Sequence, residues 1–104
     1  MTKKEMQMAE NAVVETAMAE FDVGGYIPTL TPYTQLNHCQ AWVLDWYGGK
    51  LLRSYNTIIA YIDTDGNCYD FLRKVYGYTT TSARQINKFA RKYNAKRCYT
   101  WREV

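Results

Sequence analysis

The sequence predicts an α+β domain: a small antiparallel sheet with an N-terminal helix and a basic amphipathic helix, in the order α-β-β-β-α-β. Three observations carry that prediction. Residues 3–21 are rich in Ala, Met and Glu and hold neither Gly nor Pro. Residues 55–62 are dense in aromatic and β-branched side chains and run into an Asp-Gly turn. Residues 82–93 carry an apolar stripe at helical period with basic residues opposite it. At 104 residues, 1–104 is one domain, divided as helix 1–22, loop 23–39 and sheet plus helix 40–104.

The elements follow in order. Ala, Met and Glu are good helix formers, and Met6, Ala9, Val13, Val14, Ala17 and Phe21 fall on one broad side of the first helix. That side can pack on a sheet or meet a partner. Asp22 to Pro32 breaks the helix, with Gly24, Gly25, Pro28 and Pro32 as punctuation. Residues 40–47 place Trp42, Leu44 and Trp46 on one face at period two, and Gly48-Gly49 fits a tight turn into residues 50–53.

The strand over 55–62 sets Tyr55, Thr57, Ile59 and Tyr61 against Asn56, Ile58, Ala60 and Ile62. Both faces are apolar, which places it centrally in the sheet. The turn over 63–67 then returns residues 68–72 antiparallel, and 75–78 either extends the sheet or loops out. Ser82 and Gln85 have capping-box spacing. Ala83, Ile86, Phe89, Ala90 and Tyr93 form the buried stripe, Asn94 ends the helix, and 96–104 reads as a final strand.

Charge is divided unevenly along the chain. Residues 1–22 carry a net −3 and 23–70 a net −2, while 71–104 carry +8, giving +3 in all. The cations Arg84, Lys88, Arg91 and Lys92 fall opposite the apolar stripe, with Lys96, Arg97 and Arg102 following. Such a surface is either a solvated helix face or an anion-binding one. Lys and Arg neutralise phosphates, and Tyr76, Tyr78, Tyr99 and Trp101 offer rings on which bases stack.

The three cysteines, Cys39, Cys68 and Cys98, stand about thirty residues apart, without the close pair that preorganises a zinc site. Their odd number predicts reduced thiols and a cytosolic setting, with no cofactor. Glu5, Glu10, Glu15 and Glu20 interrupt the apolar stretch that a secretory signal needs, and no apolar run is long enough for a membrane span. His38 is the single histidine, and adjacent Cys39 would point to the other face of an extended chain. Nucleophile elbows, phosphate-cradling glycine loops and paired His ligands are all missing. Asp63, Asp65 and Asn67 resemble the start of a calcium loop, but Cys68 and Lys74 stand where Gly and Glu are needed. No enzyme is expected.

One stretch goes beyond composition. Arg53-Ser54-Tyr55-Asn56-Thr57-Ile58-Ile59-Ala60-Tyr61-Ile62, the turn, Tyr78-Thr79-Thr80-Thr81-Ser82 and Ile86-Asn87-Lys88-Phe89 together make a recognisable module. It resembles small uncharacterised accessory proteins of phages, plasmids and conjugative elements of Gram-positive bacteria. Their shared pattern is a Ser-Tyr-x-Thr strand, a hairpin, a Tyr-x-x-Thr-Thr step and a helix with Ile-Asn-x-Phe. The resemblance implies a mobile-element protein in a bacterial cytoplasm that acts by occupying a host machine, anti-CRISPR inhibitors being one case. It spans roughly residues 50–93, and its matching positions read as sheet, cap and core.

Three functions stay open on these grounds. The first is a non-enzymatic inhibitor that binds a host protein such as a CRISPR effector nuclease or its guide RNA. The second is a nucleic-acid-binding module using Arg84, Lys88, Arg91, Lys92, Lys96, Arg97, Tyr99, Trp101 and Arg102. The third is a small structural homo-oligomer with Met6, Val13 and Phe21 as its helix–helix seam.

Overall fold

The computed structural model describes residues 2–19, 33–35, 41–46, 48–54, 57–75, 77 and 79–103. Phe21, His38, Cys39, Tyr55, Tyr76, Tyr78 and the Gly- and Pro-bearing stretch 22–32 lie outside them. A helix, α1 (Lys3–Ala19), precedes five strands: β1 (Tyr33–Gln35), β2 (Ala41–Trp46), β3 (Gly49–Ser54), β4 (Thr57–Ile62) and β5 (Asn67–Asp70). Two helices, α2 (Leu72–Val75) and α3 (Thr80–Lys92), then lead to β6 (Arg97–Thr100). All six strands join one sheet in chain order. The fold is α+β. No helix among the described residues is long and apolar enough to cross a membrane.

The sheet departs from the expectation in three places. β1 lies inside the stretch expected to be loop, pairing antiparallel with β2 through Thr34 opposite Val43. β3 is a strand of its own. And β6 pairs parallel with β5, so the sheet is mixed. A parallel neighbour needs a crossover connection, and α2 and α3 supply it. The return strand also ends two residues early, at Asp70, because its carboxylate accepts the Leu72 amide at 2.9 Å and turns the chain into α2.

β4 is central as expected, with Ile58 through Ile62 all buried. Its faces are sorted differently, however. The register with β3 steps from Leu52 opposite Ala60 to Arg53 opposite Ile58, leaving Ile59 as an extra residue. This bulge puts Ile59, Ala60 and Ile62 into the core beneath α3, and Ile58 and Tyr61 into the core beneath α1. Strict alternation holds on β2, where Leu44 and Trp46 join the α1-side cluster and Val43 the other.

Turn chemistry fixes the hairpins. Gly49 lies so close to β4 that a Cβ there would meet the Ile62 carbonyl oxygen. In the β4–β5 turn, Asp63 accepts the amides of Asp65 at 3.0 Å and Asn67 at 2.9 Å, together with the Tyr69 hydroxyl at 2.8 Å. Asp63 thus serves as the acceptor that organises the turn, and Gly66 takes the left-handed conformation at φ 87°.

α1 docks through a face rotated from the one predicted. Val14 and Ala17 are buried, whereas Met6 and Val13 are 56% and 39% exposed. The contact face runs through Gln7, Glu10, Asn11, Val14, Ala17 and Met18, at helical period. Gln7 Nε2 donates to the Thr100 carbonyl at 3.2 Å. Asn11 bonds both backbone groups of Arg102. α1 therefore covers the β6 edge of the sheet with polar groups as well as apolar ones.

Candidate nucleic-acid interface

The candidate surface begins with how α3 is held. Thr79 is extended and its Oγ1 accepts the Ser82 amide at 3.3 Å, so Thr79 is the N-cap. Ser82, predicted to cap, lies instead on the third residue of the helix and is buried. Gln85 is buried too, and its Oε1 has no hydrogen bond among the described residues. At the other end Asn94 takes φ 53°, as predicted for the stop. The Ala95 amide donates to Ala90 O at 2.9 Å and the Asn94 amide to Arg91 O at 3.2 Å, a Schellman closure.

Both ends fixed, the helix has one rotation available. Ser82, Gln85, Ile86 and Phe89 face the sheet. Arg84, Lys88, Arg91 and Lys92, at spacings of four, three and one, all point outward and are exposed. None of the four forms an ion pair among the described residues. Arg91 and Lys92 also occupy the last turn, where the helix dipole favours cations.

Three cations elsewhere are paired locally. Arg97 pairs with Glu10 at 3.3 Å, Lys74 with Glu15 at 3.0 Å, and Lys50 with Asp45. Two acids of α1 thus compensate Arg97 and Lys74. Lys3, Lys4, Lys96 and Arg102 also have no carboxylate partner among the described residues, but α3 gathers four such cations on one helix surface.

The nine residues expected to bind together therefore fall into separate groups. Arg84, Lys88, Arg91 and Lys92 share the α3 surface, while Tyr99 and Trp101 pack in the cluster on the opposite sheet face. Tyr99 stacks on Tyr69 with centroids 5.4 Å apart, Tyr69 stacks on Tyr61 at 5.8 Å, and the Arg97 guanidinium lies 4.5 Å over Tyr99. Lys74 Nζ stands 4.8 Å from the Trp101 ring centroid. Those ring faces are occupied within the fold. Arg102 is held through its backbone by Asn11, and Lys96 lays its aliphatic stem over Gly66.

Lys50 and Tyr93 join the α3 surface, and the sequence reading left both out of it. Lys50 and Lys92 bring their ammonium groups within 5.6 and 5.7 Å of the Tyr93 ring centroid. Tyr93, assigned to the core stripe, is half-buried against Phe89 at 5.6 Å. The signal for Lys50 was strand parity with Leu52, which faces α3. Chemically the surface can hold a polyanion by several point charges, with one aromatic edge among them.

Comparison with curated proteins and with solved structures finds no match. A family model described as a family of unknown function, DUF8033, matches residues 28–103. The matched span takes in every strand and both α2 and α3, and begins after α1. Covering most of the sequence, that match shows that the chain belongs to the DUF8033 family of unknown function.

Proposed function

We propose that the protein is a non-enzymatic binding module whose α3 surface engages the phosphates of a nucleic acid. The observation that supports it most is the contrast in charge pairing. Arg97, Lys74 and Lys50 each have a carboxylate partner, whereas Arg84, Lys88, Arg91 and Lys92 have none among the described residues. Like charges on consecutive turns repel by a few tenths of a kcal/mol per close pair, and a phosphate backbone relieves that repulsion. The mobile-element resemblance favours a host machine as the setting, with the guide RNA of a CRISPR effector as one such nucleic acid. Inhibition would then follow from occupying that RNA.

Fluorescence anisotropy with labelled RNA and duplex DNA, titrated across salt concentration, tests the proposal. Four phosphate contacts predict a slope of log affinity against log salt of about −3 for single strands and about −3.6 for duplex. Absence of binding at low salt, or binding with a flat salt response, overturns it. Purification from a bacterial host distinguishes the settings, through recovery of an effector nuclease with its RNA or of nucleic acid alone.

A further inference from the structure

The parallel register of β5 and β6 sets Cys68 directly beside Cys98. Paired residues on neighbouring strands point to the same face, so both thiols leave the sheet on the α3 side. Adjacent strands lie about 4.8 Å apart, within the roughly 4.4–6.8 Å between Cα atoms that a disulfide spans. Their surroundings differ. Cys68 is completely buried in the core beneath α3, and Cys98 is exposed on the edge strand.

Their ionisation diverges accordingly. The neighbouring Cys68 thiol lowers Cys98 to about 7, although burial and the nearby Asp70 carboxylate oppose the shift. The same pairing raises Cys68, with burial and the charges of Cys98 and Asp70 acting in the same direction. An exposed sulfur that ionises near neutral pH is a nucleophile, and a buried protonated neighbour within reach is what resolves its oxidised form.

We propose that Cys98 is a peroxide-reactive thiol and that Cys68 resolves it into a cross-strand disulfide joining β5 to β6. In the first step the Cys98 thiolate attacks one oxygen of hydrogen peroxide. The O–O bond breaks, hydroxide leaves, and Cys98 becomes a sulfenic acid. In the second step the Cys68 sulfur attacks the Cys98 sulfur. The S–O bond breaks, an S–S bond forms, and the Cys68 proton leaves with the oxygen as water. Two thiols and one peroxide give one disulfide and two waters. A thiol reductant returns the pair to its starting state.

The full chain, reduced and then treated with hydrogen peroxide, is digested without reductant and analysed by mass spectrometry. The expected product links the Cys68 and Cys98 peptides with loss of two hydrogens, and dithiothreitol reverses it. In Cys68→Ser, dimedone should trap a sulfenic acid at Cys98, and in Cys98→Ser peroxide should leave Cys68 unmodified. Thiolate fraction and falling nucleophilicity together predict Cys98 alkylation at pH 7 roughly threefold faster than for an ordinary exposed thiol. Linkage of Cys98 to Cys39 in place of Cys68 overturns the proposal. So does an unreactive Cys98 in the folded Cys68→Ser protein.

Discussion

The side-chain amide of Asn11 grips the backbone of Arg102 from both sides. Its Nδ2 donates to the Arg102 carbonyl at 2.6 Å and its Oδ1 accepts the Arg102 amide at 2.9 Å. A strand partner would make the same two bonds, so a helix side chain completes the ladder just beyond β6. Asn11→Ala should therefore lower stability by about 1 kcal/mol, the bonds being exposed to water. Amide exchange at Arg102 should accelerate well beyond what that global change explains. Unaltered exchange at Arg102 would show that the apolar contacts of Val14 and Ala17 hold the helix alone.

The start of α3 supports two substitutions of opposite sign. Thr79→Ala removes the cap and should cost about 1 kcal/mol. Gln85→Met replaces a buried carbonyl oxygen that has no partner among the described residues, and should stabilise the fold by about 1 kcal/mol. Chemical denaturation of both variants measures these effects. A destabilised Gln85→Met protein would mean that the Gln85 amide is bonded in solution.

The outward face of α3 should separate binding from stability. Arg91→Glu with Lys92→Glu alters two exposed residues of the last turn and should cost about 1 kcal/mol through the helix dipole, leaving the protein folded, while weakening nucleic-acid binding at least tenfold. Phe89→Ala, on the inward face and fully buried, should cost about 3–4 kcal/mol. Equal binding by the wild type and the double charge reversal would reduce the basic face to a solvated surface.

Acid should weaken the β4–β5 turn first. Partial burial raises the Asp63 carboxyl, but the amides of Asn67 and Asp65, the Tyr69 hydroxyl and the Asn67 side chain outweigh it and hold it below its ordinary value. A folded-state value below the unfolded one gives stability that is complete above about pH 4 and is lost as pH falls through the folded value. Wild-type stability should therefore decline more steeply than that of Asp63→Asn below about pH 4. Because Asp63 is largely solvated, the difference is small, and parallel acid titrations of the two proteins measure it.

Local patterns were legible in the sequence wherever one periodicity governed an element. The Ile86/Phe89 stripe, the Asn94 stop, the central position of β4 and the period-two face of Leu44 and Trp46 all follow from short-range spacing. What escaped it required distant partners. Gln7 and Asn11 look like solvent-facing residues until the backbone of β6 is there to accept them, so the docking face of α1 was placed too near Met6 and Val13. Nothing in residues 55–62 marks Ile59 as the extra residue, since the bulge is a property of its pairing with β3. The candidate site divided for the same reason. Composition groups Arg84 with Arg97, but only the fold shows that Glu10 lies beside Arg97 and that no carboxylate pairs with Arg84 among the described residues.

The bond between Gln7 and Thr100 joins residues 93 positions apart. Closing so long a segment costs roughly 2 kcal/mol more in chain entropy than closing a ten-residue loop. On the ribosome, α1 emerges long before the strand that receives it. Only Val14 and Ala17 are deeply buried along its 17 residues, and a helix of that length is marginal alone in water. During synthesis, then, α1 should fluctuate until the sheet offers Val14 and Ala17 a core, and its polar anchoring through Gln7 and Asn11 is complete only when β6 has aligned beside β5. That anchoring should close late in folding, so slowing the formation of β6 should lengthen the period in which α1 is open to proteases and chaperones.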